Sequence, residues 1–412
     1  MKINRLFLVL FLLCGLQVSF AVEVPDDSLV VITGMVKENV HKKILAGTNL
    51  SVPGSNIATV TNSDGFFSIK IPKDMLEGGL KAEHIGYKSV IMAADKSKGN
   101  LVIWMTPSAM MLDEVTIVGA QPRGLIEQAI SKIPQNYPSS PCMLSSFYRE
   151  TIQKGRRYIG VSEAIVNVFK RPYKTRYIGG DKAQVIKGRR LVSQHSSDTI
   201  AVKIVGGPTL PVILDVVKNE DALFKLSELD YYEFGMDPMV SIDGRDQFVV
   251  KFKPKVKIDY ALNKGKVYID KETHSLTRAE FSLDISDKDK ATRAILYKKP
   301  RGLRFSPQEV DFIVTYRYEN GVSYLNYIRS KTRFKCDWKR RLFSSGYTVL
   351  AEMVVVDRDD APAHTIKRQD AFGQRDVFYD MVDDFNDDDF WKDYNIIEPT
   401  ESLEKAVSRL RK

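Results

Sequence analysis

Asn62-Ser63-Asp64-Gly65-Phe66-Phe67-Ser68-Ile69-Lys70-Ile71-Pro72 carries the strongest fold signal in this chain. Turn-forming residues run into a strand pattern, and a proline stops it. Asp64-Gly65 suits a tight hairpin, because glycine takes a positive φ without a Cβ penalty. Phe66 then opens a strand expected to face inward. Comparable short segments lie on both sides. Val30-Val31-Ile32 runs into Gly34-Met35-Val36, and Leu50-Ser51-Val52 stops at Pro53-Gly54. Leu80 to His84, Tyr87 to Met92 and Leu101 to Met105 bring the set to about seven strands with no helix, which predicts a small all-β sandwich over 22–107.

Several ordered pieces make the pattern more specific: Gly34-x-Val36, Leu45-Ala46-Gly47 leading to Val52-x-Gly54, Asn62 to Phe66, and Gly86-Tyr87. Together they resemble the carboxypeptidase regulatory-like domain, which implies a seven-stranded transthyretin-like β-sandwich. The next stretch, Met111 to Gly119, is similar to the segment joining this domain to the plug of TonB-dependent receptors. There it overlaps the site that meets the TonB energy transducer. The resemblance implies a partner contact with a TonB-system component at Leu112, Asp113, Glu114, Val115, Thr116, Ile117 and Val118. The residues by themselves read as a short exposed strand and linker. The chain beyond Gly119 is too short for a plug and a receptor barrel, since each spanning strand alone needs about 9–11 residues.

Residues 1–21 read as a signal peptide. Lys2 and Arg5 precede the apolar run Leu6 to Leu13, and Ser19-Phe20-Ala21 supplies small residues at a cleavage position. Leu6 to Phe20 is short for a membrane span of about 20 residues. Cys14 raises a lipoprotein alternative, which Leu13 just before it fits poorly. The expected location is therefore the periplasm or outer-membrane periphery of a Gram-negative bacterium, with peripheral membrane association through a partner or lipid. Beyond the leader only Cys142 and Cys336 remain. An oxidising compartment permits a disulfide between them, and a pair of buried free thiols is equally ordinary.

The formal net charge is +9, and it is uneven along the chain. Residues 143–370 carry 42 basic and 29 acidic side chains, whereas 371–412 carry 6 and 11. Export argues against nucleic acid as the partner of the basic middle. A solvated basic face, offset by the acidic tail, accounts for it.

Between the sandwich and the middle, 108–142 reads as a linker. It holds a helix from Pro122 to Ile133 whose apolar face is Leu125, Ile126, Ala129, Ile130 and Ile133, with Pro134 ending it. From 143 to 370 strands dominate: Arg157 to Phe169, Ala183 to Val192, Gln247 to Lys253, Lys266 to Asp270 and Leu276 to Ile285. Val310 to Tyr318 alternates with period two, Asn320-Gly321 marks a type I′ hairpin, and Val322 to Cys336 returns with Arg329, Lys331, Arg333 and Lys335 on one face. Leu210 to Val217 reads as the one helix inside this region. The fold expected is mainly β: the sandwich, then a large antiparallel curved sheet with one or two packed helices. Gly265 to Asp270, continuing through Leu276 to Phe281, resembles a hairpin of lipoprotein-carrier (LolA-like) sheets, which implies a lipid-cradling half-barrel.

The tail, 371–412, holds seven aspartates between Asp380 and Asp393, interleaved with Phe385, Phe390 and Trp391. It reads as an acidic linker whose aromatics dock on the basic region. Leu403, Ala406, Val407 and Leu410 then recur at helical spacing.

No catalytic pattern emerges. A zinc carboxypeptidase needs His and Glu three residues apart. Of the five histidines only His195 has a carboxylate three residues after it, Asp198, and a polar loop explains it. Neither a Gly-x-Ser-x-Gly elbow nor a phosphate-binding Gly-x-x-x-x-Gly-Lys-Ser/Thr occurs. No catalytic, metal or cofactor residue is nominated. The reading is a non-catalytic envelope binding or scaffolding protein, its sandwich an interaction module and its sheet binding a hydrophobic ligand or partner protein. The alternative is a hydrolase with an unrecognised site in the second domain, acting on peptides or glycans.

Overall fold

In β1 (Leu29–Glu38), buried Val30, Ile32 and Val36 alternate with outward Val31 and Thr33, the mark of a strand covered on one face. The computed structural model describes residues 28–94, 101–108, 121–195, 198, 202–204, 206–339, 344–373, 376, 378, 382–384, 391 and 394–410. The 1–21 leader with Cys14, and Leu112 to Val118, lie outside that set. Six further strands complete the first unit: β2 (Asn49–Ser51), β3 (Ala58–Val60), β4 (Phe66–Pro72), β5 (Leu80–Glu83), β6 (Val90–Met92) and β7 (Leu101–Met105). They form two sheets, ordered β4-β1-β7 and β3-β2-β5-β6. Leu50, Phe67, Ile69, Ile71, Leu80 and Ile103 fill the space between them.

The Asn62–Gly65 turn closes through a side chain. Asn62 Oδ1 accepts from the backbone N–H of Asp64 (2.9 Å) and of Phe66 (3.0 Å). Gly65 has φ of 76°, and a Cβ there would lie 2.6 Å from Ile44 Cγ2, so glycine is required on two counts. The strands joined, β3 and β4, belong to different sheets. The turn is thus a crossing between sheets, where Asp64-Gly65 had promised a hairpin. Asn62 supplies the closing bonds that a ladder partner would otherwise give. Phe66 is 41% exposed, and the inward set begins one residue later, at Phe67.

Helix α1 (Pro122–Ser131) buries Leu125, Ile126 and Ala129. Pro134 does not end the run. It sits in the first turn of a second short helix, α2 (Ile133–Asn136), where a missing N–H costs nothing. Then come β8 (Cys142–Lys154), β9 (Arg157–Lys170), β10 (Lys182–Val192), β11 (Lys203–Ile204) and α3 (Leu210–Ile213). After them lie β12 (Tyr232–Ile242), β13 (Arg245–Pro254), β14 (Asn263–Asp270), β15 (Leu276–Leu283), α4 (Lys288–Ile295) and β16 (Leu296–Lys298). Last are β17 (Leu303–Glu319), β18 (Val322–Trp338), β19 (Ser345–Asp359), β20 (Asp383–Asp384) and α5 (Glu401–Leu410).

Ten strands make one antiparallel sheet in the order β12-β13-β14-β15-β17-β18-β19-β8-β9-β10, and β20 adds a short parallel contact to β10. Asn320-Gly321 and Asp243-Gly244 both hold paired positive φ, as type I′ turns require. Register slips at Ile152/Gln153, Thr315/Tyr316 and Val355/Asp357 are bulges, which bend strands. Helix α3 stops four residues short of the expected Val217, because Asp215 turns into a buried polar cluster. Helix α4 escaped the sequence pattern: only Ala291 and Ile295 are buried in it, and the Asp287 side chain caps it by accepting from Asp289 and Lys290 N–H.

The sheet is covered on both faces. Its inner face packs Leu144, Tyr148, Val166 and Val168 against α1, α2 and α3. There Lys170, wholly buried, lies 2.8 Å from Asp215 and 3.2 Å from Asp181, and Tyr173 and Tyr316 hydroxyls donate to Asp215. Its outer face packs Phe147, Ile165 and Val354 against Val60 of the sandwich and against Trp391 and Ile397 of the tail.

The two cysteines are free thiols, both buried. Cys336 pairs with Ser345 at one end of β19, near the level of Lys154, and Cys142 begins β8 twelve residues away. At ~3.3 Å per residue that is roughly 40 Å along the sheet, against a disulfide limit near 7 Å between Cα atoms. The candidate bridge does not form.

Candidate functional site

The inner face holds a cavity of about 730 Å³ with an apolar floor. Val349, Ile152, Gly160 and Val192 are successive cross-strand partners along its floor. Phe334 and Ile159 widen that floor, and Phe372 and Phe378 close one side. Gly160 makes the room, since a Cβ there would meet only Ile152 and Val192 at ordinary contact distance. Lys298 and Lys299 stand at the rim. The volume falls within the roughly 300–1,000 Å³ of small-molecule sites, which are mostly apolar with few polar groups.

Glu150 lines this cavity together with Ser162, Ser193, Asp198, Lys203 and Asp376. Burial raises the Glu150 carboxyl above the ordinary range, and the Tyr148 hydroxyl donates to it at 2.9 Å. No basic side chain pairs with it among the described residues. A carboxyl in that position holds its proton more readily and then offers an O–H toward the cavity.

A second, polar cavity of about 260 Å³ lies where the sandwich, the outer sheet face and the tail meet. Glu83 and His84 enter from the sandwich, Arg278, Arg329 and Glu352 from the sheet, and Glu398 from the tail. Burial raises the Glu83 carboxyl, with Asp243 adding to it, and burial likewise raises Glu398 and lowers His84. Most of its charges are already matched. Asp270 takes two hydrogen bonds from Arg245 at 2.6 and 2.8 Å, and the Tyr327 hydroxyl donates to Glu352 at 2.6 Å.

That cavity sits on a charged row. Arg329, Glu352, Arg149, Glu163 and Arg189 are successive cross-strand partners on five strands, alternating in sign. Such opposed pairs each contribute about 0.2–1 kcal/mol when exposed. Here burial is deepest at the middle of the row, on β8 and β9. Arg149 and Glu163 are each 4% exposed at the side chain, 2.6 Å apart, and Arg189 reaches Glu163 at 2.8 Å. Burial alone would raise Glu163, but Arg149 and Arg189 outweigh it and hold the carboxyl below the usual range.

Of the residues singled out in the sequence, Asp198 spends its carboxylate on Arg157 (2.6 Å) and Ser193 (2.6 Å) in a polar loop. Arg329, Lys331 and Arg333 share the outer face, where Glu309 pairs with the latter two. Trp391 docks as the tail's aromatics were expected to, edge-on to Phe147 and under Arg189. Neither cavity was legible, because each is assembled from strands distant in the chain.

Fold and cavities together define a two-part β protein, a small sandwich seated on a ten-stranded sheet. Residues 32–117 match the family model described as the CarboxypepD_reg-like domain, which bears out the resemblance read from Gly34 to Tyr87. No curated protein matches the chain. Among solved structures it is similar to an outer membrane lipoprotein-sorting protein domain from Vibrio parahaemolyticus, at 11% identity over 61% of this chain and 97% of that one, with TM-score 0.28. It is also similar to a DUF1329 family protein from Desulfovibrio piger (12% identity, 58% and 94% covered, TM-score 0.24). A LolA superfamily protein from Nitrosomonas europaea gives 11% identity, 59% and 96% covered, and TM-score 0.21.

Proposed function

We propose that this chain is a non-catalytic binding protein of the bacterial envelope, and that the inner-face cavity receives an apolar or amphiphilic ligand. The observation that carries the reading is the 730 Å³ space floored by Val349, Ile152, Gly160 and Val192. Burying a ligand chain against such a floor yields about 0.8 kcal/mol per methylene. The Lys2/Arg5 leader and the regulatory-like sandwich support export, and the sandwich serves as an interaction module. Replacing Gly160 by Phe fills the floor from a position with room for a Cβ. Extraction of the purified wild type is expected to release a lipid-like molecule, which the Gly160→Phe protein lacks while keeping its circular dichroism. Equal ligand content in both proteins would sink the proposal. Contact of Leu112 to Val118 with an energy transducer is the narrower partner reading; unchanged transducer binding after deletion of 112–118 would end it.

A second reading is favoured by the polar cavity, which Glu83, His84 and Glu398 all line, each with its acidity shifted by burial. It makes the chain a hydrolase of peptides or glycans. Loss of any measured hydrolysis in both Glu83→Gln and Glu398→Gln would support it, and absence of hydrolysis in the wild type would remove it.

A further inference from the structure

The tail is read by the sandwich residue by residue. Lys70 lies on β4, the edge of the three-stranded sheet, with its partner Val31 on the other side. On the open edge its backbone N–H donates to Asn395 Oδ1 (2.6 Å) and its carbonyl accepts from Asn395 Nδ2 (3.3 Å). One side-chain amide thus satisfies both groups that an added strand would satisfy. The Lys70 ammonium donates to the carbonyls of Trp391 and Tyr394, and the Thr59 hydroxyl to that of Ile396 (2.9 Å). Asn62 Nδ2 donates to the carbonyls of Glu398 and Pro399, each at 3.1 Å. Between these contacts Ile397, 1% exposed, packs with Val60. Asp64 Oδ2 then accepts from Glu401 N–H as α5 begins.

Main-chain carbonyls gripped by fixed donors, with one buried aliphatic side chain and one amide read at an edge, is how folded domains recognise extended peptides. We propose that the sandwich edge formed by Thr59, Asn62 and Lys70 is a receptor for an extended segment of pattern Asn-x-Ile-x-Pro, occupied in cis by residues 395–399. The partner in trans is the same segment of a second copy of this chain, which binds by displacing the resident one. The proposal rests on the reading of the sandwich as an interaction module and is independent of the inner-face cavity.

The sandwich has other holds on the sheet that would outlast displacement. Lys81 and Ser89 donate to Asp243 at 2.7 and 2.8 Å, Asn56 donates to the Arg358 carbonyl at 2.7 Å, and Gly86 N–H donates to the Ser241 carbonyl at 2.9 Å.

The test uses the full chain carrying a protease site between Asp389 and Phe390, cut after folding. The C-terminal fragment, which includes 391–412, is expected to stay bound and to exchange with a labelled synthetic peptide of the same sequence. A peptide with Asn395→Ala, or a body with Asn62→Ala, should bind about tenfold more weakly, the loss of a half-buried hydrogen-bonded contact. Circular dichroism of the nicked body checks that it remains folded. Uncut protein should take up labelled peptide far more slowly than nicked protein. Failure of the labelled peptide to enter a folded nicked body overturns the proposal, as does equal binding of the Asn395→Ala peptide. If an envelope partner is still recovered by the intact chain in that case, the interaction-module reading stands and only this receptor edge falls.

Discussion

The Trp391 indole donates its Nε1–H to Glu163 Oε2 at 3.1 Å, so the tail reaches through to the most deeply buried carboxylate of the charged row on the outer sheet face. That carboxylate also holds Arg149 and Arg189. One residue therefore joins three strands and the tail.

Replacing Glu163 by Gln leaves two guanidinium groups facing a neutral amide. Removing one partner of a buried ion pair costs about 3–5 kcal/mol, so denaturant midpoints should fall steeply. Trp391→Phe keeps the ring against Phe147 and loses one hydrogen bond, a change of about 1 kcal/mol. Similar losses in the two variants would contradict this arrangement.

Acid should release the same network. Glu163 titrates below its ordinary 4.5 in the folded chain. Its contribution is thus complete above that value and is lost as the pH falls through the depressed one. Stability of the wild type should decline below about pH 4.5 more steeply than that of Glu163→Gln, measured by urea unfolding across the acid range.

Glu150 should behave in the opposite sense. Its folded carboxyl titrates above the ordinary 4.5, so the folded state holds the proton longer than the unfolded one. Stability attributable to this site is highest at low pH and falls as the pH rises through the raised value. Glu150→Gln keeps the shape, cannot ionise, and should raise the melting temperature near pH 8 by a few degrees, about 2–4 °C per kcal/mol. Near pH 4 the two proteins should melt together. A lower melting temperature for the variant at pH 8 would mean that an unseen cation pairs with Glu150.

Lys170 offers a third test. Met in its place leaves Asp181 and Asp215 buried without their shared cation, a loss of about 3–5 kcal/mol. Combining Lys170→Met with Asp215→Asn should recover part of it, as an interaction term in a double-mutant cycle. Strict additivity would argue that the two side chains do not communicate.

Local signals survived folding well. Asn320-Gly321 and Asp243-Gly244 turn where their φ preference demands, and the strands read from Arg157 to Phe169 and from Ala183 to Val192 extend by a residue at most. The regulatory-like pattern also held, although Asn62 to Gly65 crosses between sheets. Nonlocal facts were hidden. Arg329, Glu352, Arg149, Glu163 and Arg189 form a row only once the register of five strands is fixed, and no spacing along the chain encodes that. Nothing in the strand Arg157 to Phe169 marked Gly160 as the room in the cavity floor. Asn395 in the tail gave no sign that its amide would stand in for a strand.

Asn62 shapes its own turn with Oδ1 and fastens the tail with Nδ2, across 336 and 337 positions of sequence. Contacts so far apart close late, because the loop entropy must be met before they reward the chain. The sandwich edge is therefore made early and filled last. Until then it faces solvent, so the interval before closure is when the proposed competition from a neighbouring chain's tail would meet least resistance.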